Sequence, residues 1–329
     1  MTIKTLAVIG GGAWGTALAQ VAATGGQETL LWAIEDDVVT AINRLHENPV
    51  YLKGIKLSPS IRATSNFSDL SGVDAWLVVT PAQHMRAVLE RSPCPNMPLI
   101  LCSKGIEDSS GKMLHQVALD VCPTSPVAVL SGPTFAHEVA SGLPTAVTLA
   151  CDDLALAETL RDRIALPTFR TYLTDDVAGA EVGGAVKNVL AIACGVVEGR
   201  GLGQNARAAL IARGFAEMTR FGLAMGARRE TLAGLSGLGD LVLTCSSTAS
   251  RNFSLGKALG EGKDAASLME DRRTVAEGAF TAPVLKRVAD AAGVDMPIVA
   301  AVDALLRGTE SVENVLEALM ARPPRAESH

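Results

Sequence analysis

The sequence predicts two domains, an α/β N-terminal domain with a doubly wound parallel sheet and an all-α C-terminal domain. In the first half of the chain, short apolar runs rich in β-branched residues alternate with stretches of helical spacing. This alternation is typical of a parallel sheet covered by helices. After about residue 176, strand signals nearly disappear and Ala- and Leu-rich helical patterns take over. We therefore place the two domains at residues 1–176 and 177–329.

Six strands are expected in the first domain, and several are apolar without alternation, as in strands that are buried on both faces. In chain order they are Thr5–Ile9, Thr29–Ile34, Ala75–Thr80, Pro98–Cys102, Val127–Leu130 and Ala146–Ala150. Helices are expected between strands at Thr16–Thr24, Asp36–Arg44 and Gly111–Val121. The helices expected in the second domain are Ala178–Glu198, Asn205–Met225, Phe253–Gly260, Ala282–Ala292 and Ile298–Arg307.

Composition excludes several classes of function. The chain has a net charge of −6, only 4% aromatic residues and no basic tract, which argues against a nucleic-acid partner. No apolar stretch approaches the roughly 18 residues that span a bilayer, and Met1 leads directly into a strand without a signal peptide, so we expect no stable membrane anchoring. Scattered cysteines without a Cys-x-x-Cys pair fit reduced thiols in a cytoplasmic enzyme. These cysteines are Cys94, Cys102, Cys122, Cys151, Cys194 and Cys245.

A glycine-rich sequence, GGGAWG at residues 10–15, follows the first expected strand and precedes a helix. It matches the Gly-x-Gly-x-x-Gly pattern of Rossmann-type dinucleotide-binding domains. Gly10 would permit the tight turn, Gly12 would let the backbone approach a pyrophosphate, and Gly15 would allow the helix to pack closely. The helix N-terminus would add free N–H donors and a favourable dipole for the anion. We therefore expect the N-terminal domain to be Rossmann-type and to bind a dinucleotide.

Glu35 stands at the end of the second expected strand, where the same pattern has an acidic residue. Its carboxylate would accept hydrogen bonds from an adenosine ribose and would repel a 2′-phosphate. The alternative is that Glu35, Asp36 and Asp37 only favour the start of the next helix, because acidic residues stabilise a first helical turn.

Lys104 follows the fourth expected strand, at the edge of the sheet where open α/β proteins bind ligands. The small residues of Ser131–Ala136 follow the next strand and end at the same edge. An ordinary surface lysine and an ordinary turn are the alternatives for these two segments.

Lys187 lies in an almost uncharged helical sequence at residues 182–194. A lysine in such a helix either extends its amine to water or is held in a pocket where burial lowers its pKa. With a lowered pKa, the amine becomes a useful proton donor or acceptor near neutral pH.

A third set of polar residues comes later in the chain. Asp240 lies between glycines and an apolar run that ends at Thr244. Arg251 and Asn252 have forked donors that suit a phosphate, although Arg251 is equally consistent with a solvated helix start. No group of His, Cys, Asp and Glu has the spacing of metal ligands, so we expect no metal site.

Eight segments, in order from Ile9 to about Arg307, resemble those of the bacterial NAD(P)-dependent glycerol 3-phosphate dehydrogenases. The segments are 10–19 (GGGAWGTALA), 48–52 (NPVYL), 103–105 (SKG), 131–136 (SGPTFA), 183–188 (GGAVKN), 237–244 (GLGDLVLT), 250–252 (SRN) and 275–278 (VAEG). The resemblance implies an oxidoreductase that interconverts dihydroxyacetone phosphate and sn-glycerol 3-phosphate with NAD(P)H and supplies glycerol 3-phosphate for phospholipid synthesis. It also implies a small phosphorylated substrate and a homodimer.

The resemblance assigns roles to single residues. It implies that Lys187 is the catalytic proton donor or acceptor. The chemistry of ketone reduction, which needs a proton and positive charge at the developing alkoxide, adds Lys104 and Asp240 as catalytic residues. The glycine-rich pattern and the resemblance together give as cofactor-binding residues Gly10, Gly12, Ala13, Trp14, Gly15, Glu35, Tyr51, Lys104, Ala136, Arg251, Val275 and Glu277. The implied substrate-binding residues are Lys104, Gly132, Thr134, Lys187, Asn188, Asp240, Thr244, Ser250, Arg251 and Asn252.

Two places depart from the family pattern. Ala13 stands where a serine is frequent, so one side-chain hydrogen bond is missing. Ala33 and Ile34 stand where an arginine or histidine commonly follows the second strand. The second departure argues against the usual NADPH preference.

Three other hypotheses compete with this one. In a 3-hydroxyacid dehydrogenase or ketopantoate-type reductase, the hydroxyacid enzymes place an asparagine four residues after their lysine, whereas Asn188 here is adjacent to Lys187. A nucleotide-sugar dehydrogenase would need a catalytic cysteine in a glycine-rich context, which Cys245 lacks. A non-catalytic NAD(P)-sensing module would have no need of two lysines and an aspartate together.

Overall fold

The computed structural model of the chain describes residues 3–24, 26–91, 96–268 and 276–323. Eight strands in these ranges form one sheet. They are β1 (Leu6–Ile9), β2 (Thr29–Trp32), β3 (Ile61–Thr64), β4 (Ala75–Val78), β5 (Leu99–Leu101), β6 (Val127–Ser131), β7 (Thr145–Ala150) and β8 (Phe169–Thr174). Their order across the sheet is β3-β2-β1-β4-β5-β6-β7-β8. Neighbouring strands run parallel, except that β6 and β7 are antiparallel.

The predicted fold class is confirmed, and all six expected strands are present with small shifts at their ends. The sequence analysis misses β3 and β8, which are the two edge strands of the sheet. An edge strand does not need a continuous apolar run, and β8 alternates buried Phe169 with exposed Arg170. Because β3 is missed, Lys104 follows the fifth strand of the sheet and not the fourth.

Six helices connect the strands, and apolar clusters lie beneath them on both faces of the sheet. They are α1 (Ala13–Ala22), α2 (Asp36–Leu45), α3 (Met85–Leu89), α4 (Leu114–Val121), α5 (Ala136–Ala140) and α6 (Leu154–Ile164). Alternate residues of β1 belong to different clusters, since Leu6 and Val8 pack on one face while Ala7 and Ile9 pack on the other. This two-sided burial explains why the central strands are apolar without alternation.

The part of the chain after β8 contains helices and no strand among its described residues. The helices are α7 (Val177–Gly199), α8 (Gly203–Ala224), α9 (Arg229–Leu232), α10 (Asp240–Cys245), α11 (Arg251–Gly260), α12 (Ala265–Leu268), α13 (Glu277–Ala291), α14 (Pro297–Leu306) and α15 (Val312–Met320). A π-helical turn, Leu235–Gly239, leads directly into α10. We call residues 3–174 the sheet region and residues 177–323 the helical region.

Helix α7 is the centre of the helical region, and every residue from Gly179 to Val197 is buried. Helices α8, α10, α11 and α13 pack around it. A Cβ atom on Gly256 would lie 1.9 Å from the carbonyl oxygen of Ile192, so only glycine lets α11 approach α7 this closely. The expectation that no apolar stretch is long enough to span a bilayer is wrong by length and composition, because α7 has 23 residues and passes that test. Its burial inside the protein makes it a core helix.

The connections of the sheet create a crevice between β1 and β4. From β1 the chain continues to β2 and β3 on one side, then returns to β4 on the other side. Loops after β1 and β4 therefore diverge at the carboxyl edge of the sheet, which is where open α/β sheets bind ligands. Helix α7 contacts β6 and β7, so the helical region lies beside the same sheet.

Candidate active site

The glycine-rich loop after β1 has the geometry of an anion-binding turn. Gly10 has a φ of +129°, which side chains other than glycine rarely adopt. A Cβ atom on Gly15 would lie 1.9 Å from the carbonyl oxygen of Gly10, whereas a Cβ atom on Gly12 would meet nothing within 4 Å. Gly12 is the N-cap of α1 and supplies no side chain to the first N–H groups of the helix. These N–H groups and the open space at Gly12 can accommodate a phosphate.

Asn48 connects this loop to the next one, and the sequence analysis assigned it no role. Its buried side-chain amide donates to the carbonyl oxygen of Gly11 and to Oγ1 of Thr16, both over 2.8 Å. Its Oδ1 accepts a hydrogen bond of 3.1 Å from the backbone N–H of Tyr51. The Tyr51 hydroxyl then donates to Oε1 of Glu35 over 2.9 Å. Hydrogen bonds therefore link Gly11, Thr16, Asn48, Tyr51 and Glu35 at the nucleotide end of the site.

Glu35 is the N-cap of α2, but its side chain does not cap that helix. Glu35 therefore stands at the start of a helix, as one of the two hypotheses expects. Its carboxylate, however, accepts a hydrogen bond from Tyr51 and none from the N–H groups of that helix. Trp14, in the first turn of α1, has a buried indole nitrogen without a hydrogen-bond partner in the described residues. An unsatisfied buried donor beside a phosphate-binding turn fits a bound polar group.

The central feature of the site is a buried carboxylate between two lysines. Asp240, the first residue of α10, is fully buried, with 0% of its surface exposed. Its Oδ1 lies 2.5 Å from Nζ of Lys187 on α7, and its Oδ2 lies 2.6 Å from Nζ of Lys104 after β5. Lys187 also donates to Oγ1 of Thr244 over 2.9 Å. The three residues predicted to be catalytic are therefore in contact, although they come from three separate parts of the chain.

Burial lowers the pKa of Lys187 to about 8. The negative charge of Asp240 opposes this shift, and the positive charge of Lys104 adds to it. The hypothesis that Lys187 is held in a pocket therefore agrees with the structure, since only 7% of its side chain is exposed. An amine with this pKa exchanges protons readily near neutral pH.

Small residues make room for Lys104. A Cβ atom on Gly184 of α7 would lie 3.1 Å from Cγ of Lys104, so a larger residue there would displace the lysine. The carbonyl oxygen of Gly132 accepts a hydrogen bond from Lys104 Nζ over 3.3 Å and one from Thr134 Oγ1 over 3.4 Å. The loop after β6 thus contacts the lysine directly, as its position at the strand end predicts.

An ion pair between Arg86 and Glu107 restrains the loop that carries Lys104. Arg86 donates two hydrogen bonds to the carboxylate of Glu107, at 2.8 and 2.9 Å. This pairing lowers the pKa of Glu107, which is almost fully buried. Because Glu107 comes three residues after Lys104, the pair restricts where the lysine can move.

A second set of predicted residues lies where α7, α11 and α13 meet. Nδ2 of Asn252 donates to Oδ1 of Asn188 over 2.9 Å, and Oδ1 of Asn252 accepts from the N–H of Gly278 over 2.9 Å. Ser250 is the N-cap of α11, and its hydroxyl accepts from the N–H of Phe253. These contacts fix the N-terminus of α11 beside Lys187, which precedes Asn188 on α7.

Arg251 is exposed at the first position of α11, close enough to influence Glu277 at the start of α13. Burial raises the pKa of Glu277, while the charges of Arg251, Lys104 and Lys187 oppose the rise. The two predicted residues and the lysine pair therefore belong to one electrostatic environment. Val275, also predicted to contact the cofactor, lies outside the described residues.

Ala136 is placed on the nucleotide side of the site. It is the first residue of α5, which packs against α1, and it joins the apolar cluster that includes Trp14. The structure therefore brings the predicted residues into two groups, one along the glycine loop and one around Asp240. Both groups lie at the carboxyl edge of the sheet.

The sequence analysis also missed a contact between the two regions. Glu181 on α7 accepts the backbone N–H of His115 on α4 over 2.8 Å, and its other oxygen lies 2.6 Å from Nδ1 of the same histidine. Burial lowers the pKa of His115, but the hydrogen bond and charge of Glu181 outweigh this effect and leave the pKa above its usual value. Nothing local in the sequence indicates this pairing, because the two residues are far apart in the chain.

The described residues contain no cluster of three or more His, Cys, Asp or Glu placed to hold a metal ion. Cys102, Cys151, Cys194 and Cys245 are buried thiols, whereas Cys94 lies outside the described residues. Burial raises the pKa of Cys102 and so disfavours its reactive thiolate form.

Comparisons with known proteins cover nearly the whole chain. A family model described as NAD-dependent glycerol-3-phosphate dehydrogenase N-terminus matches residues 5–157, and one described as the C-terminus of that enzyme matches residues 176–317. A glycerol-3-phosphate dehydrogenase (NAD(P)+) from Erythrobacter litoralis is 64% identical over 98% of this chain and 97% of its own length. Another from Novosphingobium aromaticivorans is 60% identical over 98% and 97% of the two lengths. The crystal structure of glycerol-3-phosphate dehydrogenase from Coxiella burnetii is 37% identical, with a TM-score of 0.93 over 97% of this chain and 99% of that one.

Proposed function

The chain belongs to the NAD-dependent glycerol-3-phosphate dehydrogenase family, and we propose that its reaction takes place between Lys104, Asp240 and Lys187. The protein is an NAD(P)-dependent oxidoreductase that interconverts dihydroxyacetone phosphate and sn-glycerol 3-phosphate. In this role it supplies glycerol 3-phosphate for phospholipid synthesis. The observation that carries the proposed site is the shared carboxylate of Asp240, which holds two lysine amines within 2.6 Å.

Lys187 is the proton donor in ketone reduction and the proton acceptor in alcohol oxidation. The bound nicotinamide supplies or accepts the hydride. When a ketone is reduced, negative charge develops on its oxygen, and an ammonium group nearby both stabilises that charge and donates the proton. With its pKa lowered to about 8, the Lys187 amine is populated in both protonation states near neutral pH.

Asp240 helps to orient the amine of Lys187, and Asp240 and Lys104 together contribute to the net charge of the site. Two ammonium groups and one carboxylate leave a net positive charge in a buried place, which favours an oxyanion over a neutral ketone. The hydrogen bonds from Lys187 to Asp240 and Thr244 fix the direction of the amine before substrate binds. A fixed amine loses little entropy when the reaction begins, which is the advantage of preorganisation.

The phosphate of the substrate binds at the N-terminus of α11. This helix has 10 residues and begins at Arg251, so the first N–H groups of the helix and the guanidinium belong to the same helical turn. Asn188 and Asn252 hold this terminus against α7. Arg251 contributes the positive charge that a phosphate dianion requires. Gly132, Thr134 and Ser250 complete the substrate site.

The dinucleotide binds along the glycine loop. N–H groups at the start of α1 and the open space beside Gly12 would hold the pyrophosphate, and Glu35 would accept hydrogen bonds from the adenosine ribose. Trp14, Ala136 and Glu277 line the rest of the cofactor site. The unsatisfied indole N–H of Trp14 supports this placement.

Three further properties belong to the same proposal. The division into a dinucleotide-binding domain and a helical substrate domain lies at residues 176 and 177, between the end of β8 at Thr174 and the start of α7 at Val177. The protein is cytoplasmic and acts as a homodimer. Sedimentation equilibrium of the purified protein tests the dimer.

The decisive experiment follows the loss of nicotinamide absorbance when the protein is mixed with dihydroxyacetone phosphate and NADH or NADPH. We expect turnover with at least one of the two cofactors, and the product to be sn-glycerol 3-phosphate. Ketopantoate and a 3-hydroxyacid serve as controls for the alternative reaction. Turnover of ketopantoate but not of dihydroxyacetone phosphate would reject the proposed function.

A further inference from the structure

Tyr51 and Glu35 form a hydrogen-bonded pair at the carboxyl end of β2. The phenol oxygen lies 2.9 Å from Oε1 of Glu35. Both side chains are half-buried, and the second carboxylate oxygen of Glu35 receives no hydrogen bond from the described residues. The pair therefore places a carboxylate with one acceptor oxygen that Tyr51 does not use at the carboxyl end of β2.

The position of Tyr51 is fixed by contacts that lead back to the phosphate-binding loop. Its backbone N–H donates to Asn48, whose amide donates to Gly11 in the glycine loop and to Thr16 in α1. Asn48 is fully buried, and its three hydrogen bonds use both the nitrogen and the oxygen of its side-chain amide. The separation between the phosphate-binding N–H groups and the Glu35 carboxylate is consequently set by hydrogen bonds and not by a flexible loop.

The charged residues that directly follow Glu35 in the sequence are acidic. Ile34, which precedes Glu35 in the chain, is apolar and 68% exposed, so it adds no positive charge at that position. Asp36 and Asp37 add two negative charges in the first turn of α2, while Arg44 lies in its last turn. The first cationic residue after Tyr51 in the sequence is Lys53, which is exposed.

We propose that Tyr51 is a specificity-determining residue, which holds the Glu35 carboxylate so that the site selects the 2′-hydroxyl of NAD(H) and rejects the 2′-phosphate of NADP(H). The inference rests on the cofactor site proposed above and assigns that site a preference. A ribose hydroxyl can donate to the unused carboxylate oxygen. A phosphate in the same place would meet a fixed like charge and two further acidic residues.

The hydrogen bond from Tyr51 matters because a glutamate side chain is flexible. An unrestrained carboxylate at a half-exposed position would turn towards water, and a phosphate could displace it at little cost. A carboxylate that is held in place loses less entropy when it binds a ribose, and it cannot move away from a phosphate. Tyr51 therefore affects both the favoured and the rejected ligand.

Calorimetric titration with ADP-ribose and with 2′-phospho-ADP-ribose tests the preference without catalysis. The variants are Tyr51→Phe, Glu35→Gln and the double substitution. Tyr172→Phe changes the only other tyrosine, which lies on the far edge strand β8. Asp37→Asn removes the same charge as Glu35→Gln from a carboxylate that contacts its own helix and not Tyr51.

We expect the wild-type protein to bind ADP-ribose at least about tenfold more tightly than its 2′-phosphorylated form, since one hydrogen bond to a charged group accounts for this ratio. Tyr51→Phe should reduce the ratio about three- to tenfold, and Glu35→Gln should abolish it. The double variant should resemble Glu35→Gln, because Tyr51 acts through the carboxylate. Both control variants should keep the wild-type ratio.

Three results would overturn the inference. One is a wild-type protein that binds the 2′-phosphorylated ligand as tightly as ADP-ribose. Another is a folded Tyr51→Phe variant with the wild-type ratio, which would assign selection to Glu35 alone. The third is an equal effect of Asp37→Asn and Glu35→Gln, which would show that general negative charge is responsible. Turnover of dihydroxyacetone phosphate is measured in parallel. A protein that prefers ADP-ribose but does not turn over dihydroxyacetone phosphate would reject the proposed function and leave the role of Tyr51 intact.

Discussion

Lys104 and Lys187 approach each other only because both donate to the carboxylate of one residue, although one lysine follows a strand of the sheet region and the other lies within a helix of the helical region. Like charges this close repel, and without the bridging Asp240 the pair would be unfavourable in a buried place. The contact therefore joins the sheet region to the helical region. It also influences the pKa of Lys187, to which Asp240 and Lys104 both contribute.

Replacement of Lys187 by alanine tests the assignment of the proton donor. We expect Lys187→Ala to lower kcat by about 10² to 10⁴, the usual contribution of a positioned acid or base. Cofactor affinity should change little, because the glycine loop and Glu35 do not contact this lysine. Steady-state kinetics and NADH titration measure the two effects separately.

The matched control for this variant is Lys286→Ala on α13, where the exposed lysine pairs with Asp290. Its kcat should equal that of the wild-type protein. A folded Lys187→Ala variant with wild-type kcat would remove this residue from the mechanism.

The pH dependence of the reaction provides a second test, and its sign differs between the two directions. A lysine with a pKa of about 8 is protonated below that pH and neutral above it. Ketone reduction needs the protonated amine, so its kcat/KM should fall as the pH rises through about 8. Alcohol oxidation needs the neutral amine, so its kcat/KM should rise over the same interval. If kcat/KM changed with pH in the same way in both directions, the assignment of Lys187 as proton donor and acceptor would be wrong.

Removal of the Asp240 carboxylate should shift the pH at which kcat/KM for ketone reduction falls. Asp240 opposes the lowering of the Lys187 pKa, so Asp240→Asn should shift the alkaline limb of ketone reduction to lower pH. Loss of one partner of a buried ion pair also destabilises a protein by about 3–5 kcal/mol. Asp290→Asn, at the exposed pair with Lys286, should change neither property. The pH–rate profile and thermal unfolding measure both effects, and an unshifted limb in a folded variant would show that Asp240 does not control the amine.

The features that the sequence could predict are those that depend on local pattern. Apolar runs reveal the central strands because both faces are covered, and an isolated lysine in the uncharged α7 sequence indicates a special environment. Gly10 and Gly15 are predictable because a turn and a close helix contact each require glycine. The edge strand β8 is less visible, since one of its faces is polar.

Contacts between distant segments could not be predicted in this way. In the sequence, Asn48 has no feature that distinguishes it from an ordinary loop residue. In the structure, its amide donates to Gly11, 37 positions earlier in the chain. Glu181 has no local feature that separates it from a surface residue, yet it is buried against His115. Such residues are recognised only when the geometry is known, because their partners come from other elements.

The phosphate-binding role of Arg251 makes a prediction about two substrates. Arg251→Ala should raise KM for dihydroxyacetone phosphate by about ten- to a hundredfold, since a charged hydrogen bond contributes about 1.5–3 kcal/mol. The KM for unphosphorylated dihydroxyacetone should stay near its wild-type value. Arg213→Ala, at an exposed arginine of α8, is the matched control. Equal increases for both substrates would show that Arg251 does not hold the phosphate.

The contact between His115 and Glu181 should make stability depend on pH. Glu181 raises the pKa of His115 above its unfolded value near 6.5, against the opposing effect of burial. A group with a raised pKa contributes stability that is complete below the unfolded pKa and is lost as the pH rises through the folded pKa. The wild-type protein should therefore lose stability at this contact between about pH 6 and the folded pKa of the histidine.

The substitution Glu181→Gln removes the charge that holds the proton on His115, while the amide oxygen can still accept the backbone N–H. Stability at pH 6 should fall by about 1–3 kcal/mol, the cost of a hydrogen bond to a charged group. Above the folded pKa the variant and the wild-type protein should converge, because the wild-type histidine is then neutral too. Thermal unfolding at pH 6 and pH 8.5 measures the difference, with His137→Gln at an exposed histidine of α5 as the control. A Glu181→Gln variant that is equally destabilised at both pH values would mean that the carboxylate acts as a helix cap and not through the charge on His115.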